Sequence, residues 1–112
     1  MISLNFRQLD EESMCALYSI DFDSGTSLQS MLNDIQELEQ NGKCHSVGTV
    51  QIYKAKELYD EPIVEVKYIG GIISNTELNK IPIHILNKPV KYAYMFSTTI
   101  KNGNYHIAIT VK

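Results

Sequence analysis

Residues 90–112 constrain the fold more than any other stretch. Val90, Tyr92, Tyr94, Phe96, Thr98 and Ile100 alternate with Lys91, Ala93, Met95, Ser97, Thr99 and Lys101, and after Asn102-Gly103 come Tyr105, Ile107, Ile109 and Val111. A period of two is that of a strand with one buried face, and Asn-Gly suits a two-residue type I′ turn because both central residues take positive φ. The stretch predicts a β-hairpin turned at Asn102-Gly103. Its register sets Ile100 opposite Tyr105, Thr98 opposite Ile107, Phe96 opposite Ile109 and Tyr94 opposite Val111 on the core face. Tyr92, Tyr94 and Tyr105 are then expected to pack in the core rather than to stack on single-stranded nucleic acid alongside Lys91 and Lys101.

The rest of the chain reads as ββα followed by strands. Ile2, Leu4 and Phe6 alternate with Ser3, Asn5 and Arg7, and the polar segment Gln8 to Ser13 reads as a turn. From Met14, the residues Ala16, Tyr18, Ile20 and Phe22 share a face, with Leu17 the one apolar residue out of phase. A helix is predicted over about 27–41: Thr26 and Gln29 have capping-box spacing, and Leu28, Met31, Leu32, Ile35 and Leu38 form one apolar stripe. Asn41-Gly42 ends it. Val47 to Tyr53 and Ile63 to Ile69 read as strands, Gly70-Gly71 as a tight turn or bulge, and Ser74 with Glu77 as the cap of a short helical turn. Ile81 to Leu86 reads as an edge strand, because Pro82 cannot donate to a ladder. Asn87-Lys88-Pro89 then turns the chain, and His84 and His106 fall opposite the apolar phase, at the surface. The fold class is α+β: a single domain over residues 1–112, with a mostly antiparallel sheet of about 5 to 7 strands and the one main helix packed on one face.

At 112 residues with 44% hydrophobic and 21% charged side chains, the chain has the size and composition to bury a core without metal or disulfide support. No apolar run approaches the roughly 20 residues of a membrane-spanning helix, and the N-terminal residues do not read as a secretory signal, so a cytoplasmic protein is expected. Cys15 and Cys44 fall in no CxxC or metal-ligand spacing, and His45, His84 and His106 are scattered. Reduced thiols are expected, with no metal and no cofactor.

Charge is unevenly divided. Residues 1–42 hold Asp10, Glu11, Glu12, Asp21, Asp23, Asp34, Glu37 and Glu39 against Arg7, for −7; residues 43–112 hold nine lysines against five acids, for +4, which together make the −3 of the whole chain. An acidic surplus argues against a duplex nucleic-acid binder, which needs a basic face. Glu37 and Glu39 lie near the helix C-terminus, where negative charge is unfavourable by a few tenths of a kcal/mol. Such a cluster is suited to steering a basic protein partner and fixing its register.

One string has the look of chemistry. Ile20-Asp21-Phe22-Asp23-Ser24-Gly25-Thr26-Ser27 contains Asp23-Ser24-Gly25-Thr26, which resembles the active-site loop of aspartic proteases. That resemblance implies a homodimer in which two Asp23 carboxylates share a proton. Tyr68-Ile69-Gly70-Gly71-Ile72 is faintly similar to a flap. The pattern departs where a well-capped helix follows the Asp loop and where no apolar-apolar-Gly segment backs it. Asp21-x-Asp23 lacks the third acidic ligand and the glycine of a calcium loop, and no lysine follows to hold phosphate.

The sequence therefore points first to a non-catalytic protein-binding domain. Its concrete form is an inhibitor or immunity-type protein, or antitoxin, that neutralises a basic nuclease toxin with the eight acids named above. An aspartic-protease-like homodimer is the enzymatic alternative. A small-ligand binder is the third, and it requires groups such as Tyr18, Tyr68 and Tyr92 to line one pocket.

Overall fold

A computed structural model describes residues 2–10, 15–41, 47–54, 61–97 and 105–112. Within them the chain forms β1 (Ser3–Asp10), β2 (Cys15–Asp21), α1 (Leu28–Asn41), β3 (Val47–Lys54), β4 (Val64–Ile69), α2 (Asn75–Leu78), α3 (Ile83–Leu86), β5 (Val90–Ser97) and β6 (Tyr105–Val111). The six strands make one sheet in the order β1-β2-β5-β6-β3-β4, and the domain is α+β with a single helix longer than two turns.

The sheet is mixed rather than purely antiparallel. Every neighbouring pair is antiparallel except β3 and β6, which run parallel from Gly48↔Tyr105 to Lys54↔Val111. A parallel pair needs a long crossover, and here the chain from β3 to β6 passes through β4, α2, α3 and β5. No local pattern announces such a pairing, because β3 and β6 each alternate as any half-buried strand does.

One face of the sheet holds the core. Across it runs the row Phe6, Tyr18, Met95, Ile107, Val50, Val66, and beside that Ala93, Ile109, Ile52, Val64. The stripe of α1 covers the middle of these rows and leaves Phe6 at the edge exposed, with Leu28, Met31, Leu32 and Ile35 buried and Leu38 partly so. Helix and sheet are also joined through the backbone: the Leu28 N–H donates to the Lys88 carbonyl at 2.9 Å and the Val90 N–H to the Thr26 carbonyl at 2.8 Å. Gln36 on α1 accepts from the Ile73 N–H at 3.0 Å, which holds the segment after β4 against the helix.

Gly48 lies in the core-side row with Tyr105 and Tyr68. A methyl group there would overlap the Tyr105 carbonyl oxygen and the tip of the Tyr68 ring. Glycine is what lets a fully buried tyrosine lie across β3.

Several expectations hold. The Gly70-Gly71 turn has φ of 61° and 76°, and Ile69 and Ile72 exchange backbone hydrogen bonds of 3.0 and 3.1 Å across it, as a tight turn requires. Ser74 caps α2 by accepting from the Glu77 N–H at 3.3 Å. His84 and His106 are exposed.

Four expectations are corrected. The β5–β6 register pairs Ser97 with Tyr105, Met95 with Ile107 and Ala93 with Ile109, three residues away from the predicted one. An odd shift reverses the face of every side chain on β5. Tyr92, Tyr94 and Phe96 are therefore on the far side of the sheet from α1, while Ala93 and Met95 are buried beneath it. The Asn102-Gly103 turn itself lies outside the described residues. Second, residues 81–86 are not a strand: Pro82 stands just before α3, where its fixed φ and missing N–H suit the first turn of a helix. Third, the cap of α1 is Ser27, whose hydroxyl accepts from the Ser30 N–H at 3.2 Å, while Thr26 turns back to donate through Oγ1 to the Asp23 carbonyl at 2.6 Å. Fourth, β1 runs on through Gln8, Leu9 and Asp10 because a bulge at Arg7 changes its phase, so that Phe6 faces Tyr18 and Gln8 faces Leu17.

Candidate functional site

Two surfaces hold the candidate residues: the acidic part of the chain and the sheet face turned away from α1. On the acidic side, Asp10 ends β1, while Asp21 ends β2 opposite Ser3. With about 3.3 Å of rise per strand residue, Asp10 and Asp21 are separated by roughly 20 Å along the hairpin. Asp23 follows Asp21 into the turn before α1, and both are exposed. Asp34 and Glu37 are neighbours on α1, the first half-buried and the second exposed. Glu39 is in the last turn of α1, and Glu11 and Glu12 lie outside the described residues. The fold thus brings together Asp21 with Asp23, and Asp34 with Glu37, and it sets Asp10 at the opposite end of the hairpin from Asp21.

The Asp23-Ser24-Gly25-Thr26 string is a strand-to-helix turn. Gly25 takes a φ of 86°, the Thr26 N–H donates to the Asp23 carbonyl at 3.2 Å, and α1 starts two residues later. The Thr26 N–H and hydroxyl both donate to the Asp23 carbonyl, which fixes the turn from β2 into α1.

The tyrosines of the ligand-pocket alternative do not converge. Tyr68 is buried under α1's side of the sheet, Tyr18 is half-buried on that same side, and Tyr92 is on the opposite face. A groove of about 520 Å³ does exist between α1, α2 and α3, with Leu32, Leu78, Ile81 and Ile83 on its walls and Asn33 and Asn79 at its rim. Among the described residues, no carboxylate, histidine or cysteine lines it. Among the described residues, no three His, Cys, Asp or Glu side chains gather as metal ligands, and no helix is long and apolar enough to cross a membrane.

The sheet face opposite α1 is the feature that sequence reasoning missed. Tyr92, Tyr94 and Phe96 stand along β5 with 44%, 38% and 42% of their surfaces exposed. The Tyr92 and Tyr94 rings are 5.8 Å apart, and the Lys91 ammonium is 6.0 Å from the Tyr92 centroid. Leu17, the out-of-phase residue of β2, is paired with Phe96. Around this aromatic row the side chains are polar and tied to one another. Arg7 Nε donates to Ser19 Oγ at 2.9 Å, Tyr53 donates to Gln51 Oε1 at 2.8 Å, Gln51 Nε2 donates to Glu65 Oε2 at 2.9 Å, and Thr49 Oγ1 is 2.8 Å from His106 Nδ1. Such bonds hold the polar side chains in place before any contact is made, which lowers the entropy lost on binding. The signal that pointed here was Leu17, whose phase fits only an apolar neighbour on this side.

A comparison with protein-family models, with curated proteins and with solved structures finds no match for the chain.

Proposed function

We infer that the protein is a small, cytoplasmic, non-catalytic binding domain, and most concretely an inhibitor or immunity-type protein that engages a basic partner such as a nuclease toxin. The observation that carries this reading is the strand order. The β1–β2 hairpin, from the acidic part of the sequence, forms one edge of the sheet, and β3–β4, with Lys54 and Lys67, forms the other. Among the described strand residues the balance runs the same way, with Asp10 and Asp21 against Arg7 at the first edge and Lys54 and Lys67 against Glu65 at the second. On β1, Phe6 and Leu9 are exposed and supply apolar anchors of the kind that dominate interface energies, while carboxylates elsewhere on the surface steer the approach.

The test uses purified basic nuclease domains as probes on a biosensor, with acidic proteins of similar size as controls. Binding should be confined to basic probes and its association rate should fall as salt is raised. Reversal of Asp34, Glu37 and Glu39 to Lys should slow association by about tenfold or more, and Phe6→Ala should act on dissociation instead. Unchanged rates in the triple reversal would remove the helix acids from the site, and salt-independent binding would remove the electrostatic reading altogether.

A further inference from the structure

We propose that the open face of the sheet is an interface between two copies of this chain, related by a twofold axis that runs along the strands between β5 and β6. This face lies on the side of the sheet away from α1, whereas Asp34, Glu37 and Glu39 are on α1 itself, and the proposal stands independently of the partner inferred above.

The sheet's own midline suggests the axis. In the order β1-β2-β5-β6-β3-β4 the centre falls between β5 and β6. A twofold along that line lays β5 of one copy over β6 of the other, and the cross-strand register says which side chains meet: Tyr92 is paired with Thr110, Tyr94 with Ala108 and Phe96 with His106. In each pair the bulkier ring is on β5. Thr110 is nearly buried on this face, at the floor of a channel between Tyr92 on one side and Tyr53 on the other. The face is therefore a ridge beside a channel, and the twofold sets each ridge into the other copy's channel. A self-complementary patch of this kind is what an isologous dimer requires.

The charges at the rim agree with that axis. It places β1 of one copy over β4 of the other, and the residues Asn5, Ser19, Tyr94, Ala108, Gln51 and Glu65 form a single row across the sheet. Arg7, bonded to Ser19 at one end of this row, then faces Glu65 at the other end in the second copy, and both side chains are long enough to absorb the angle of about 30° at which twisted sheets stack. A twofold perpendicular to the strands would instead set Glu65 against Glu65.

The area is sufficient. Six strands about 4.8 Å apart and seven residues of about 3.3 Å each give a face of roughly 550 Å² before side-chain relief is counted, so two faces remove about 1,100 Å² or more. That passes the roughly 1,000 Å² a specific interface should clear, and the relief of the aromatic row adds to it. The aromatic centre with a polar rim is also the usual anatomy of such an interface.

Sedimentation velocity of the full chain over a wide concentration range should show a species of twice the 12.7 kDa chain mass. Tyr94→Arg should raise the dimer Kd by about thirtyfold or more, as removal of a central aromatic anchor does, with an unchanged circular dichroism spectrum. Arg7→Glu and Glu65→Arg should each weaken the dimer, and the double variant should restore it, a recovery that a folding defect would not give. A wild type that stays monomeric throughout, a Tyr94→Arg variant that dimerises as well as wild type, or a double variant no better than either single one would overturn the proposal. So would a monomer that binds a single-stranded oligonucleotide through the same tyrosines, since the face would then be a stacking platform.

Discussion

The two faces of the sheet are made by the same strands, yet they follow opposite rules. Under α1 the buried side chains are mostly aliphatic, with Tyr68 the fully buried aromatic, and β5 contributes Ala93 and Met95. On the other side the same strand contributes Tyr92, Tyr94 and Phe96. By hydrophobicity alone the aromatic row would be assigned to the interior. The difference teaches that a covered face selects for fit as much as for hydrophobicity: β5 offers it alanine and methionine, and its buried tyrosine, Tyr68, is accommodated only because Gly48 leaves room for the ring. The rings of β5 are left for a surface over which, among the described residues, no helix lies.

The largest effect that separates the two faces should come from truncation. Ile109→Ala, in the middle of the covered face, should cost about 2–5 kcal/mol of unfolding free energy. Tyr94→Ala, in the row across from it, should cost less than about 1 kcal/mol when denaturation is followed at protein concentrations low enough to keep the chain monomeric. Equal losses would mean that the open face is part of the folding core, and the distinction would collapse.

Gly48→Ala should have the next largest effect, because the added methyl meets the Tyr105 carbonyl, which is fixed in the β3–β6 ladder, as well as the Tyr68 ring. A cost of about 1–3 kcal/mol is expected from overpacking at such a position. If Gly48→Ala cost much less in a Tyr68→Leu background than in the wild type, the clash would be with the ring tip, whose Cζ and hydroxyl both lie where the methyl would go; an equal cost in both backgrounds would locate it in the backbone. Denaturant titration of the three variants distinguishes the two.

The smallest effect belongs to neither face. Glu77 of α2 accepts from the Lys67 N–H of edge strand β4 at 3.0 Å and from the Lys80 ammonium at 2.9 Å. The Lys67 N–H first, and then Lys80, hold its carboxyl below the ordinary carboxylate value. A lowered folded value means that the ionised group stabilises the fold above the carboxylate range and that this contribution is lost as pH falls through the folded value. Glu77→Gln should be slightly less stable than wild type at neutral pH, and the two stability curves should converge in acid. A constant offset at all pH values would assign the effect to packing.

Much of this fold was legible in the sequence because its signals are local. The α1 stripe from Leu28 to Leu38, the Gly70-Gly71 turn and the Ser74–Glu77 cap each depend on residues within a few positions of one another. What was not legible depends on pairing at a distance. The parallel contact of β3 with β6 leaves no mark on either strand. The face of β5 was misread because a two-residue turn at Asn102-Gly103 fixes a register three residues from the observed one, and the bulges at Arg7 and between Val90 and Tyr92 change phase without changing composition. The candidate sites divide in the same way. The acids could be counted from the sequence, but the separation of Asp10 from Asp21 and the outward turn of the aromatic row are properties of the assembled sheet.

The position of β6 also has a consequence for the order of assembly. It is the last of the six strands along the chain and lies third from one edge of the sheet, between β5 and β3. Until it is seated, β1, β2 and β5 can pair on one side and β3 with β4 on the other, but nothing in the sheet joins the two groups. Its contacts with β3 close a span of more than half the chain, the kind of non-local step that slows folding. Before that step two raw strand edges face each other, on β5 and on β3, and each is open to the wrong neighbour. The same strand that completes the fold thus sets the interval during which the chain is most prone to aggregate.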